Sequence, residues 1–320
     1  MKMRKNSGQR DFMRQLWHDF SGDRERVVQE YAKGWLESRV TIDNQTDTSF
    51  VIPTNSPSVN TAASRPQATR TSTDREKWIK AWFDGLEIRP ESLEYLDRVV
   101  QWRLAWRPHR VRILLVAESH VAEQDGDIDC NVELPEGLAP NLSLPKGFCR
   151  LVYCLGYGEK AICYPTLPDN NQGTWQFWDL LGSIGAVFDS SISSKMPRKA
   201  NSNSSLATRI QWKISLLNIL ADAGVWLEDA SVIGIYRSGK RMVSGKRYDQ
   251  IVRESFKNFV WPGVVKDNPV QVWVIGRSVG NALIELPMIY PDRIISQPGD
   301  HNASRYQADV ERLVRGVGSV

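Results

Sequence analysis

Glu118 stands directly after the apolar run Val111–Ala117 in "VRILLVAES". A carboxylate in that position is partly desolvated, and such a group can orient or deprotonate a water. The plainer alternative is a structural carboxylate bonded to a neighbouring loop. His301, within "SQPGDHNASRYQADV" over 296–310, is one of only four histidines. Ser304 and Gln307 read as an S-x-x-Q capping box, which sets His301 just ahead of a helix N-terminus. The positive end of the helix dipole disfavours an imidazolium there. A neutral ring can donate one hydrogen bond to a developing anion. A surface histidine beside a turn is the competing reading. Asp125, Asp127 and Asp129 follow in "EQDGDID". The EF-hand pattern fails, because no Glu closes the loop at its twelfth position. Asp127 is retained as a second candidate for positioning water, and no metal is assigned.

These groups need a frame. Apolar runs at 111–117, 230–236 ("ASVIGIY"), 270–276 ("VQVWVIG") and 292–298 ("DRIISQP") read as strands. Helical patterns lie between them in "TWQFWDLLGSIG", "LATRIQWKISLLNILADAG" and "YDQIVRESFKNFV". Two more precede the first strand, at 74–86 and at 90–106, the latter with Pro90 in its first turn. Strands alternating with helices predict a doubly wound α/β sheet. Ligands of such sheets bind outside the carboxyl ends of the strands. That edge would gather Glu118, Ser119 and His120, then Tyr236 and Arg237, then Gly276, Arg277 and Ser278, then Asp300, His301 and Asn302.

The remaining chain divides by composition. Residues 1–40 read as a helical appendage, and 41–73, rich in Ser, Thr, Asn and Pro, as a flexible linker. Residues 74–320 form the α/β domain. No run of about 18 apolar residues predicts a membrane span, and the basic N-terminus has no apolar segment behind it, so a cytoplasmic protein is expected. The net charge of +4 permits a nucleic-acid partner without demanding one. Cys130, Cys149, Cys154 and Cys163 lack a C-x-x-C pair, so buried free thiols are favoured over a zinc or iron–sulfur site. Long loops are expected over 121–173 and over the basic stretch 190–205. The loop "RSGKRMVSGKRYD" carries Arg237, Lys240, Arg241, Lys246 and Arg247. Gly and Ser interleaved with Lys and Arg suit phosphate contacts, and an ordinary solvated loop reads equally well.

In this order the pieces resemble the uracil-DNA glycosylase superfamily over roughly residues 110–316. "LLVAESH" stands where the family's first motif follows the first strand, with Glu118 at the second motif position. "DHNAS" stands where H-P-S follows the last strand, with His301 at the histidine. "VWVIGRSVGNAL" and "GTWQFWDLLGSIG" resemble two further family segments. Ala117 replaces the usual glycine and His120 the usual proline, and no asparagine ends the second strand.

The resemblance implies a three-layer α/β/α sandwich with a four-stranded parallel sheet. It also implies a DNA glycosylase that needs no cofactor. Cleaving an N-glycosidic bond builds positive charge on the sugar and negative charge on the leaving base. His301 would stabilise the base, and Glu118 or Asp127 the sugar and the water. Ser119, His120, Tyr157, Tyr164 and Tyr236 would line the flipped base, although the tyrosines also read as core. Arg237, Lys240, Arg241, Lys246, Arg247, Arg277, Ser278, Asn302 and Ser304 would contact DNA. Some members excise glucosylated hydroxymethylcytosine from bacteriophage DNA as a defence, which makes modified pyrimidines, beside uracil, the implied substrates. A non-catalytic nucleic-acid-binding module and a nucleoside hydrolase are the competing functions.

Overall fold

The computed structural model describes residues 91–138, 143–164, 175–199, 204–299 and 302–319. The appendage over 1–40, the linker over 41–73, the helix at 74–86 and His301 lie outside them. The residues discussed below belong to the unit formed by Ala68–Glu285 and Ile289–Val320.

The sheet is the expected α/β core. Helix α1 (Leu93–Ala105) opens on the N-cap Ser92, whose side chain accepts from Tyr95 N. Strand β1 (Ile113–Ala117) is buried along its whole length. Four apolar residues followed by alanine can be covered on both faces, as a central parallel strand requires. After the short helix α2 (Lys160–Cys163) come α3 (Trp175–Phe188) and α4 (Leu206–Asp222). Gly224, at φ +77°, turns the chain from α4 straight into β2 (Val225–Asp229). A small hairpin follows, β3 (Tyr236–Arg237) and β4 (Lys240–Arg241). Helix α5 (Gly245–Ser255) runs through a π turn (Phe256–Val260) into α6 (Trp261–Val264). Trp261 N reaches back to Phe256 O, and Pro262 next to it has no N–H with which to keep the α register. Then come β5 (Gln271–Ile275), α7 (Arg277–Leu283), β6 (Ile294–Ile295) and α8 (Ala303–Gly318).

The strands pair in parallel in the order β2-β1-β5-β6. Helices α3, α4 and α8 pack together on one face, where Gly316 of α8 sits so close to Trp273 that a Cβ would come within 2.4 Å of the ring. Helices α1, α5 and α7 cover the other. The result is a three-layer α/β/α sandwich. Among the described residues, no helix is long and apolar enough to cross a membrane.

The second strand corrects the sequence reading. It is Val225–Asp229, and 230–236 instead crosses over the sheet edge. Gly234 there lies against Ala122 so tightly that a Cβ would approach its backbone within 2.5 Å. Glu228 and Asp229 disguise the true strand. Both are buried because Arg103 of α1 pairs with them, at 2.9 Å and 2.6 Å. The cysteines also depart from expectation. Cys130 and Cys163 form a disulfide, and only Cys149 and Cys154 are buried free thiols. Phe148 N donates to Cys130 O, and Asn131 bridges Gly147, so a folded-back loop presents Cys130 to the end of α2.

Beneath α3 and α4, Glu159 is fully buried between two cations. Arg209 donates to its Oε2 from Nε (3.0 Å) and Nη2 (2.9 Å), and Lys213 Nζ lies 3.1 Å from Oε1. Burial lowers the Lys213 pKa, Glu159 opposes that, and Arg209 adds to it. Glu159→Gln removes the carboxylate both cations share. The expected cost is about 3–5 kcal/mol of stability, read from the denaturant midpoint. A loss below about 1 kcal/mol would show that the cluster is not held by this charge.

Candidate functional site

Strand β1 delivers Glu118 to the carboxyl edge of the sheet. The backbone beyond it is pinned from β2, since Ala230 N donates to Ala117 O and Ser231 N to Glu118 O. The Glu118 side chain is 10% exposed, and Arg241 Nη2 donates to its Oε1 at 2.9 Å. Arg241 comes from the β3–β4 hairpin, where it pairs with Tyr236. Ser238 (φ 49°) and Gly239 (φ 75°) both take positive φ, as a tight two-residue turn demands. The hairpin is fixed to the segment after β1 through Ala122 N, which donates to Tyr236 O.

Aromatic rings complete the cluster. Arg241 donates from Nε and Nη2 to Tyr236 Oη, at 3.1 Å and 2.9 Å. Its guanidinium lies 5.4 Å from the Tyr236 ring centre and 4.7 Å from that of Tyr248. Tyr248 is a buried residue of α5's first turn. Burial, then the nearby Glu118 charge, pushes the pKa values of Tyr248 and Tyr236 upward. Both phenols therefore stay protonated and can donate. Sequence reasoning missed Tyr248, because it occupies a core position in α5 beside Ile251 and Val252. Its one visible signal is its place right after the basic loop.

Of the five cations of that loop, Arg241 is the one that contacts this carboxylate. Arg237, Lys240 and Arg241 ride on the hairpin, and Lys246 and Arg247 sit in the first turn of α5. Arg237 also donates from Nε to Glu123 O at 3.0 Å. The N-terminus of α5 adds its own positive field. One largely buried carboxylate, paired with Arg241 and next to a basic hairpin, is suited to two jobs together. The rim can hold a polyanion, and the centre can stabilise a cation.

Other expected site residues have different partners. Ser119 Oγ donates to His120 O and accepts from Ile235 N, so it ties the turn after β1 to the crossing segment. His120 points into the interior. Its side chain is fully buried, with Nε2 3.0 Å from Glu91 Oε2 and Nδ1 3.5 Å from Asp229 Oδ2. Burial lowers its pKa, but Glu91 and Asp229 outweigh this and lift it to about 9. In this arrangement the ring braces the turn and does not face a base. Asp127 is likewise held as a structural partner. Arg150 clamps it from Nε (2.7 Å) and Nη2 (2.8 Å), and Gln124 N donates to it. Tyr157 lies in the same cluster, its pKa raised by burial against the pull of Arg150. Tyr164 is 46% exposed near Gly126. Tyr157 therefore lies by Asp127 and Tyr164 beside Gly126, whereas Tyr236 gathers around Glu118.

Farther along the edge, Arg277 Nη2 lies 3.2 Å from Asp309, and Ser278 is exposed in the first turn of α7. The capping box needs correction. Helix α8 starts at Ala303, and Asn302 is the cap, accepting from Arg305 N at 3.0 Å. Asparagine serves that position as well as serine does. Ser304 is then an exposed first-turn residue, and Gln307 bonds Glu311 instead. Among the described residues no group of three His, Cys, Asp or Glu side chains could hold a metal ion.

No family model, curated protein or solved structure matches this chain.

Proposed function

We propose that the chain is a DNA N-glycosylase that flips out a non-standard pyrimidine and hydrolyses its N-glycosidic bond. The observation that carries this reading is Glu118. It is a nearly buried carboxylate at the end of the central strand, ringed by Arg241, Tyr236 and Tyr248 and rimmed by a basic hairpin. Departure of the base leaves an oxocarbenium-like sugar, which such a carboxylate stabilises while it orients water. Extrusion of a base from the stack brings phosphates to the rim, where Arg237, Lys240, Arg241, Lys246 and Arg247 can pair with them. His301 is assigned to the leaving base from the sequence pattern alone. No cofactor enters the scheme. Glucosylated hydroxymethylcytosine of phage DNA, with a role in phage defence, and uracil are the proposed substrates.

The test uses the whole protein. It is incubated with uracil-containing DNA and, separately, with native modified phage DNA, and released base and abasic sites are measured. Release from either substrate is the expected result, and release from neither ends the enzyme reading. Arg241 favours one alternative, because it neutralises Glu118 in the free protein. A non-catalytic DNA-binding module would bind both DNAs and release nothing. Cleavage of free nucleosides alone would favour a nucleoside hydrolase.

A further expectation concerns Arg241. Arg241→Gln should weaken DNA binding and lower the slope of log affinity against log salt by about one. An unchanged slope between about 50 and 200 mM salt would remove Arg241 from the phosphate contacts.

A further inference from the structure

Trp175 opens helix α3 and remains 36% exposed. Its described counterparts Trp102, Trp106, Trp178, Trp212, Trp226, Trp261 and Trp273 are all buried. Leaving an indole in water forgoes a large part of its hydrophobic stabilisation, so its surroundings matter. The Arg198 guanidinium lies over the ring, 3.7 Å from its centre. Arg198 is held in turn by the buried Asp179, with Nη2 2.8 Å from Oδ2. The connection is a built one. The chain after α3 doubles back along that helix, with Ser194 O against Gly182, where a Cβ would come within 2.8 Å. Met196 N then donates to Asp179 Oδ1 at 2.9 Å, and Arg198 reaches Trp175. Lys195, 71% exposed, makes only a 3.5 Å pair with Asp179, which a phosphate can replace.

The place is as telling as the stack. Gln176, beside Trp175, packs against Gly299, with 3.6 Å between its Nε2 and the point where a Cβ would stand. Gly299 follows β6 and precedes His301 in the chain. The stack therefore stands at the carboxyl edge of the sheet, the edge that also carries Glu118.

We infer that Trp175 and Arg198 form a stacking platform for an unpaired nucleotide, with Lys195 taking its phosphate, on a nucleic-acid strand that runs along this edge. A planar base stacks on an aromatic face or on a guanidinium plane whatever its identity, so the contact fixes a strand's path and not its sequence. This inference rests on the nucleic-acid-binding reading above.

Binding of a single-stranded oligonucleotide containing 2-aminopurine and of the matching duplex is measured by anisotropy and by aminopurine emission. Trp175→Ala should weaken single-strand binding by about tenfold and abolish the quenching of the stacked aminopurine. Trp175→Phe should retain both to within about threefold, and the duplex should lose less than about twofold in either variant. If Trp175→Ala fails to fold, Trp175→Phe is compared with Trp175→Leu, and equal single-strand binding by that pair overturns the platform. Wild-type affinity in Trp175→Ala overturns it while leaving the glycosylase reading intact. Equal losses on single strand and duplex overturn the assignment to an unpaired nucleotide. No salt-dependent binding of either DNA by the wild-type protein sinks both readings together.

Discussion

Glu118→Gln is expected to lower base release by about 100-fold or more while leaving DNA affinity equal to or tighter than wild type. Glutamine keeps the shape of the side chain and an oxygen that can accept from Arg241 Nη2, so the hairpin contact at 2.9 Å has a replacement. What disappears is the negative charge. In the ground state that charge faces Arg241, and removing it leaves more positive field for phosphates. In the transition state the charge would face the sugar cation, and its loss is felt strongly because the side chain is only 10% exposed. The two measurements move in opposite directions, which a merely unfolded variant would not produce. A wild-type rate would take Glu118 out of the chemistry and leave it as the anchor of Arg241.

The sequence exposed what depends on one segment at a time. Four apolar residues before Glu118 identify a buried strand wherever its partners lie, and the carboxylate that follows must stand at its end. The alternation of strands and helices carries the sandwich in the same way. What failed depends on partners far along the chain. Glu228 and Asp229 broke the apolar pattern of β2, because nothing near them announces Arg103 on α1. His120 and Asp127 looked available because they are polar and close to a strand end. Glu91 and Arg150 turn them inward, and neither partner has a local signal. Tyr248 failed in reverse. Its helical spacing is that of a core residue, and only the tertiary fold sets it beside Arg241.

Thermal stability is expected to decline as pH rises from about 6.5 to about 9, and His120→Gln should remove that part of the slope. The ring lies between Glu91 and Asp229, which together raise its pKa to about 9. The folded protein thus holds the proton more tightly than the unfolded chain does. The resulting stability is fully present below the unfolded pKa and vanishes as pH climbs through the folded one. A shift of that size corresponds to something on the order of 3 kcal/mol. At neutral pH His120→Gln leaves Glu91 and Asp229 without their shared cation, with an expected loss of about 3–5 kcal/mol. Lys213 works in the opposite sense, because burial lowers its pKa and favours folding as pH rises. Wild type and variant both carry Lys213, so the difference between their melting curves isolates the histidine. A difference that stays constant from pH 6 to about 10 would mean that His120 is neutral in the fold. A difference that shrinks with pH has a second consequence. Ser119 bonds His120 O and Ile235 N on the turn that carries Glu118. Loss of the His120 proton would loosen the support of that carboxylate, so base release should fall over the same pH range as stability.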